Sequence, residues 1–115
     1  ASIRKAEEVI EVHKESFRKA VQAGVKIAMG TDTGVTPHGE NLMELSLMTE
    51  GGMTPLEALT ATTRTASELM GLDSDLGTVE PGKLADLVVV DGDPFEFDTL
   101  GSRVEQVWMA GTQVV

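Results

Sequence analysis

The first part of the chain carries a clear hydrophobic pattern. From Ile3 to Val21 apolar side chains recur every three or four residues, and charged side chains occupy the opposite face. This spacing predicts an amphipathic α-helix that Gly24 ends. His13 falls within the apolar stripe, which predicts a packed, hydrogen-bonded histidine. The stripe consists of Ile3, Ala6, Val9, Ile10, Phe17, Ala20 and Val21.

The residues after this helix change to a short apolar run. Val25 to Met29 is apolar at every position except Lys26. Such continuous apolarity is typical of a parallel strand that is covered on both faces. The stretch "NLMELSLMTEGG" then predicts a second helix, which the paired glycines at 51 and 52 end. Helix, buried strand and helix in succession indicate an α/β arrangement.

A third helix has a strong start signal. Thr54 precedes Pro55, and Glu57 lies three residues after the threonine, which is the pattern of a capping box with proline in the first turn. The sequence predicts one continuous helix from here to about Gly71. Its inward-facing residues are predicted to be Leu56, Leu59, Ala66 and Leu69.

Beyond Leu72 the pattern favours short strands. Candidate strands run from Gly77 to Glu80 and from Ala85 to Val90. The stretch "RVEQVWMAGTQVV" predicts a hairpin that turns at Gly111-Thr112. The fold class is therefore predicted as α/β for residues 1–72, followed by short antiparallel strands in residues 73–115.

Composition removes several classes of function. The net charge of −10 argues against nucleic-acid binding, and the absence of cysteine excludes disulfides and thiolate zinc sites. No apolar run approaches the ~20 residues that span a bilayer, so no membrane association is expected. We expect a cytoplasmic protein. The chain lacks an initial Met and begins within a helical pattern, so we expect it to be a piece of a longer protein.

Asp32 is the first candidate for chemistry. It follows the predicted strand within "GTDTG", and function collects at the carboxyl ends of parallel strands. A carboxylate there can bind a metal or act as a general base. The residues alone leave equally open that Asp32 only caps the following loop. His38 lies six residues further on, where a solvated loop histidine is favoured over a substrate or metal contact.

Three stretches together carry a resemblance to a known family. "GTDTG", "PHGENLMELSLMTEGGMTPLEALTATTRTASELMGL" and "GTVEPGKLADLVVVDGDP" resemble the C-terminal end of metal-dependent amidohydrolases, in the imidazolonepropionase-like and prolidase-like branch. The resemblance implies the last helix-strand-helix units of a (β/α)8 barrel, followed by strands of a small β-sandwich. It also implies that Asp32 ligates a catalytic metal and takes a proton from water, and that Thr33 and His38 contact substrate.

The implied activity is hydrolysis of a C–N bond in a cyclic amide or an Xaa-Pro-type dipeptide by the longer parent protein. The implied cofactor is zinc or another divalent metal. The family's other ligands are a His-x-His pair, usually a carboxylated lysine, and two further histidines, and none of these precedes Asp32 here. We therefore expect the isolated chain to be inactive and to retain no metal.

A different class of function stays open for the isolated chain. A strand without its barrel neighbours, and helices with uncovered apolar faces, would expose surface that usually finds a partner. The alternative is therefore a non-catalytic module that binds a partner or associates with itself, and a homo-oligomer is expected.

Overall fold

The computed structural model describes residues 2–34, 37 and 39–115. The helices are α1 (Ser2–Gln22), α2 (Met43–Glu50), α3 (Pro55–Thr62) and α4 (Arg64–Leu69), with a 3₁₀ helix at Phe97–Arg103. The strands are β1 (Leu87–Val90), β2 (Val104–Met109) and β3 (Thr112–Gln113). The helices are followed by a small antiparallel sheet, which confirms in outline the predicted fold class of α/β with short antiparallel strands at the end. None of the described helices is long and apolar enough to cross a membrane.

The helix α1 forms as predicted but is poorly covered. None of its residues is buried, and its first fifteen described residues are all exposed. The first residue of the helix that is not exposed is Phe17, which packs against the core and lies close to Gly51. The prediction of a packed His13 is wrong, because among the described residues nothing covers this part of the apolar stripe.

The core lies between α2, α3 and the 3₁₀ helix. Its buried members are Leu45, Met48, Ala58, Ala61, Phe97 and Leu100. A hydrogen bond of 3.0 Å from the Ser46 hydroxyl to the Asp98 carboxylate joins α2 to the 3₁₀ helix across 52 residues of sequence. Residues before and after position 72 therefore share one core.

The capping box at the start of α3 is confirmed. The Thr54 hydroxyl accepts the Glu57 backbone N–H at 3.2 Å, and the Glu57 carboxylate accepts the Thr54 backbone N–H at 2.7 Å. Together these bonds satisfy two backbone donors that a helix start leaves without intrahelical partners.

The predicted single helix from Thr54 to Gly71 is instead two helices that break at Thr63. The hydroxyls of Thr60, Thr62 and Thr63 each donate to the carbonyl four residues earlier. Such back-bonding bends helices, and here it precedes the break. Gly71, with a φ of +71°, ends α4 where predicted.

The predicted inward positions of these helices are partly wrong. The exposed fractions are 63% for Leu56 and 77% for Leu69, whereas Leu59 packs against the core. The small side chains of Ala58 and Ala61 are the ones that lie buried against α2 and the 3₁₀ helix. The leucines therefore project from faces that no described residue covers.

The predicted strand Val25–Met29 is not formed. Its backbone donates two hydrogen bonds of 3.0 Å, from the Val25 N–H to the Ala20 carbonyl at the end of α1 and from the Met29 N–H to the Ala61 carbonyl. A parallel strand needs a neighbouring strand to supply its ladder, and the described sheet consists only of β1, β2 and β3. Ile27 and Met29 nevertheless pack against the core, so the segment is held by side chains.

The sheet has the order β1-β2-β3 and is antiparallel throughout. Leu87 pairs with Trp108, and the register shifts between Val89 and Val90. The hairpin from β2 to β3 is confirmed, but its two-residue turn is Ala110-Gly111, one position earlier than predicted. Both turn residues have positive φ, 48° and 82°, as a type I′ hairpin requires.

The predicted strand at residues 77–80 is instead an irregular segment that a lysine holds in place. The Lys83 ammonium donates to the Leu76 carbonyl at 3.3 Å and to the Thr78 hydroxyl at 2.7 Å, and pairs with Glu80 at 3.3 Å. These contacts replace the ladder that a strand would form. Gly77 lies against Ser67 so closely that a side chain there would collide with it.

Candidate active site

Asp32 stands in an unusual backbone conformation. Its φ is +50°, in the left-handed region that few residues other than glycine adopt, although aspartate tolerates it better than most. Its side chain is exposed. Residues held in this region cluster at active sites and ligand clamps, so the conformation supports a functional hypothesis for Asp32.

Two hydroxyls flank this carboxylate. The Thr31 and Thr33 hydroxyl oxygens are 3.2 Å apart and share a hydrogen bond across the aspartate. Thr33 is exposed, as a residue that contacts substrate must be. A side-chain carbon added at Gly30 would have no atom within 4 Å from any described residue other than the glycine and its two chain neighbours. The surface at this end of the segment is therefore open.

The core fixes the position of the segment that carries Asp32. Besides the Met29 N–H bond to α3, the Met29 sulfur lies 3.1 Å from the Thr62 hydroxyl oxygen. The Met29 side chain lies against the core. The carboxylate thus lies three residues beyond a well-anchored methionine.

A charge cluster holds the opposite end of the segment and was missed by the sequence analysis. The Lys26 ammonium pairs with the Glu68 carboxylate, which also accepts a hydrogen bond of 3.1 Å from the Arg64 guanidinium. The Lys26 hydrogen bond, followed by the Arg64 one, lowers the pKa of Glu68 below its ordinary value of 4.5. The signal for this contact in the sequence was Lys26, the one charged residue in an otherwise apolar run.

His38, the remaining residue proposed for the site, lies outside the described residues. Within the parts of the chain that the structure describes, no group of three or more His, Cys, Asp or Glu residues could hold a metal ion. Asp32 therefore suits the role of one ligand, but the described residues do not make a complete metal site.

Comparison with protein families decides the wider identity. The model of the amidohydrolase family matches residues 1–114. The chain belongs to this family. The resemblance found in the sequence motifs is therefore confirmed for this amidohydrolase chain.

Individual relatives agree with that assignment. Ochratoxinase from Aspergillus niger is 38% identical over 112 residues, which cover 93% of this chain and 23% of the relative. Imidazolonepropionase from Shouchella clausii is 35% identical over 105 residues, which cover 85% of this chain and 23% of the relative. The amidohydrolase chain thus spans about a quarter of the length of these relatives.

Solved structures give the same result for the fold. A Xaa-Pro dipeptidase crystallised with methionine in its active site matches with a TM-score of 0.82 and 41% identity, over 87% of this chain and 25% of that one. The structure of A. niger ochratoxinase matches with a TM-score of 0.83 and 33% identity, over 96% of this chain and 26% of that one. The amidohydrolase chain therefore shares both sequence and fold with hydrolases.

Proposed function

We propose that the chain is the C-terminal quarter of a metal-dependent amidohydrolase that cleaves C–N bonds. The proposed substrates are cyclic amides or Xaa-Pro-type dipeptides, in line with the imidazolonepropionase and dipeptidase relatives. The observation that carries the proposal is the exposed Asp32 carboxylate, in a left-handed conformation within a chain of this family. The 115-residue chain on its own is proposed to be inactive.

Asp32 would act as the proton carrier of the reaction. Its carboxylate accepts a proton from a water molecule as the water oxygen bonds to the amide carbon. The same carboxyl then returns the proton to the nitrogen as the C–N bond breaks, so that an acid and an amine leave and Asp32 is restored. Water and substrate can both reach an exposed carboxylate. Neither could reach a carboxylate that was buried as the cap of a loop.

Zinc or another divalent metal is the proposed cofactor, with Asp32 as one of its ligands. The described residues supply no cluster that completes such a site. The remaining ligands would come from parts of the protein outside this chain. For the same reason the chain alone is proposed to retain no metal.

The wider architecture is proposed from the family resemblance. Residues 25–32 would be the last strand of a (β/α)8 barrel, with strands on either side of it from elsewhere in the protein. The sheet of β1, β2 and β3 would belong to the small β-sandwich. Thr33 and His38 would contact substrate at the mouth of this barrel. A cytoplasmic location stays a prediction.

The test is hydrolysis by the longer polypeptide that carries this sequence, with the 115-residue chain assayed beside it. Xaa-Pro dipeptides and cyclic amides serve as substrates, before and after removal of metal by a chelator and after re-addition of zinc. The proposal expects zinc-restorable hydrolysis by the longer polypeptide and none by the short chain. Equal hydrolysis by the short chain, or hydrolysis by the longer one that survives removal of metal, would overturn it.

A further inference from the structure

The exposed part of α1 has the pattern of a helix that pairs with another helix. Ile3, Ile10 and Phe17 are seven residues apart, and so are Ala6, His13 and Ala20. Together they form two positions of a heptad, the repeat by which helices pack side by side. The exposed fractions are 75% for Ile3 and 51% for Ile10. The first two turns of this seam thus lie open to solvent.

Next to this seam lies a groove between α1 and α2. The groove has a volume of about 420 Å³ and an apolar floor that includes Val9, Ile10, Phe17, Leu47 and Met48. Lys14 and Arg18 line its α1 wall, whereas Glu44 and Glu50 line its α2 wall. A helix that fits here needs an apolar stripe, an acidic border toward α1 and a basic border toward α2.

The helix α1 itself meets part of this requirement. Glu7 and Glu11 share one edge of its apolar stripe with Arg4, Lys14 and Arg18, whereas Lys5 and Lys19 lie along the other edge. Glu7 and Lys14 are seven residues apart, so they occupy the same edge of the helix. When two such helices run antiparallel about a two-fold axis, this edge of one helix lies against the same edge of the other. Glu7 of each copy then faces Lys14 of the other copy, which gives two equivalent ion pairs.

The distribution of charge also favours α1 as the meeting point. Residues 2–22 contain five Lys or Arg and four Glu, whereas the rest of the chain contains four Lys or Arg and fifteen Asp or Glu. Two chains that each carry a net charge of −10 repel one another over most of their surface. The near-neutral α1 is the element at which two copies can approach with the least repulsion.

We propose that two copies of the 115-residue chain associate through antiparallel pairing of α1, with Ile10 of each copy against His13 of the other and two Glu7–Lys14 ion pairs between the copies. Each α1 then lies over the apolar groove of the partner copy. In this arrangement the small Ala6 faces the large Phe17 of the other copy, so bulky and small side chains alternate along the seam. In the longer protein proposed above, other parts of the same polypeptide would cover this stripe instead.

The test is the mass of the 115-residue chain in solution, measured by sedimentation equilibrium up to about 100 µM. The proposal expects a reversible dimer of twice 12.2 kDa. Glu7→Lys and Lys14→Glu should each raise the dissociation constant about tenfold, because each turns two attractions into two repulsions. An equimolar mixture of these two variants should recover the association of the unaltered chain, since its mixed dimer has only opposite charges facing each other.

Controls reverse charges on the solvent face of the same helix. Glu8→Lys and Glu15→Lys alter residues whose side chains are 68% and 54% exposed, and neither should change the dissociation constant by more than about twofold. Circular dichroism checks that every variant keeps its helix content. A chain that is monomeric at every concentration would overturn the proposal, and so would a mixture that fails to recover. Because no activity is measured, the outcome is independent of the proposed hydrolase function.

Discussion

Two regions of this molecule stand in contrast. Around Leu45, the helices α2 and α3 and the 3₁₀ helix bury one another, and Leu45 is only 1% exposed. Along the first part of α1 and at Val25, by contrast, the hydrophobic pattern is as strong but these side chains lack cover: Val9 is 67% exposed and Val25 is 55% exposed. A hydrophobic stripe therefore marks a surface that requires a partner, and only the first region finds its partner within the described chain.

The largest expected effect comes from opening the packed region. Leu45→Ala should lower the free energy of unfolding by about 3 kcal/mol, because it leaves a cavity in a core with few other large side chains. The matched control is Leu56→Ala, which makes the same chemical change at a side chain that is 63% exposed. Urea titration of both variants should separate them by about 2 kcal/mol or more. Equal losses would contradict the described contrast in burial.

A smaller effect is expected from the start of α3, which supplies two residues of the same core. Thr54→Ala removes the hydroxyl that accepts the Glu57 backbone N–H. It also disrupts the reciprocal half of the capping box, in which the Glu57 side chain accepts the backbone N–H of residue 54. We expect a loss of about 1 kcal/mol in the free energy of unfolding. Thr54→Ser keeps the capping oxygen and should lose only a few tenths of a kcal/mol, about the effect of a surface substitution. If the serine variant lost as much as the alanine variant, the hydroxyl would not be the source.

The smallest expected effect tests how the open segment is held to α4. Because Lys26 and Arg64 lower the pKa of Glu68 from 4.5, the charged form of Glu68 stabilises the folded chain above pH 4.5. That stabilisation disappears as the pH falls through the lowered pKa. Glu68→Gln should therefore show a weaker loss of stability below pH 4.5 than the unaltered chain does.

The partner of Glu68 gives the matched variant for this pH experiment. Lys26→Met removes the largest cause of the lowered pKa but leaves Arg64 as the second, so its stability should fall with acid less steeply than that of the unaltered chain and more steeply than that of Glu68→Gln. Urea midpoints measured between pH 3 and pH 7 compare the three proteins. An acid limb in Glu68→Gln as steep as in the unaltered chain would show that the ion pair adds nothing to holding the segment.

Local signals in the sequence predicted local structure well. The period of α1, the capping box at Thr54, the glycine that ends α4 and the β2–β3 hairpin were all confirmed. Each depends on residues a few positions apart, whose effect on the backbone does not require the rest of the fold.

Predictions that required knowledge of distant neighbours were the ones that failed. Apolar spacing placed Leu56 and Leu69 on an inward face, but spacing does not reveal what lies opposite that face. The strand at 25–29 and the packed His13 failed for the same reason. The helix break at Thr63 follows threonines whose hydroxyls donate to carbonyls of the preceding turn, a feature that a periodic pattern does not display.

The candidate site contains one feature that the sequence predicted and one that it did not. The position of Asp32 at the end of an apolar run predicted a functional carboxylate, and its left-handed conformation agrees with a specialised role. The complete set of ligands for the proposed metal could not be predicted from this chain, because such ligands come from elements that are far apart in sequence. The role of Asp32 thus stays a prediction that activity must test.

The central claim is that Asp32 carries the chemistry of the longer hydrolase. The most direct measurement is kcat/KM for hydrolysis of a Xaa-Pro dipeptide or a cyclic amide by the longer polypeptide with Asp32→Asn, with Asp73→Asn, an exposed aspartate beyond α4, as the matched control. The account predicts a loss of about 100-fold or more for Asp32→Asn, with an unchanged circular dichroism spectrum, and near-normal turnover for Asp73→Asn. Near-normal turnover by Asp32→Asn would contradict it.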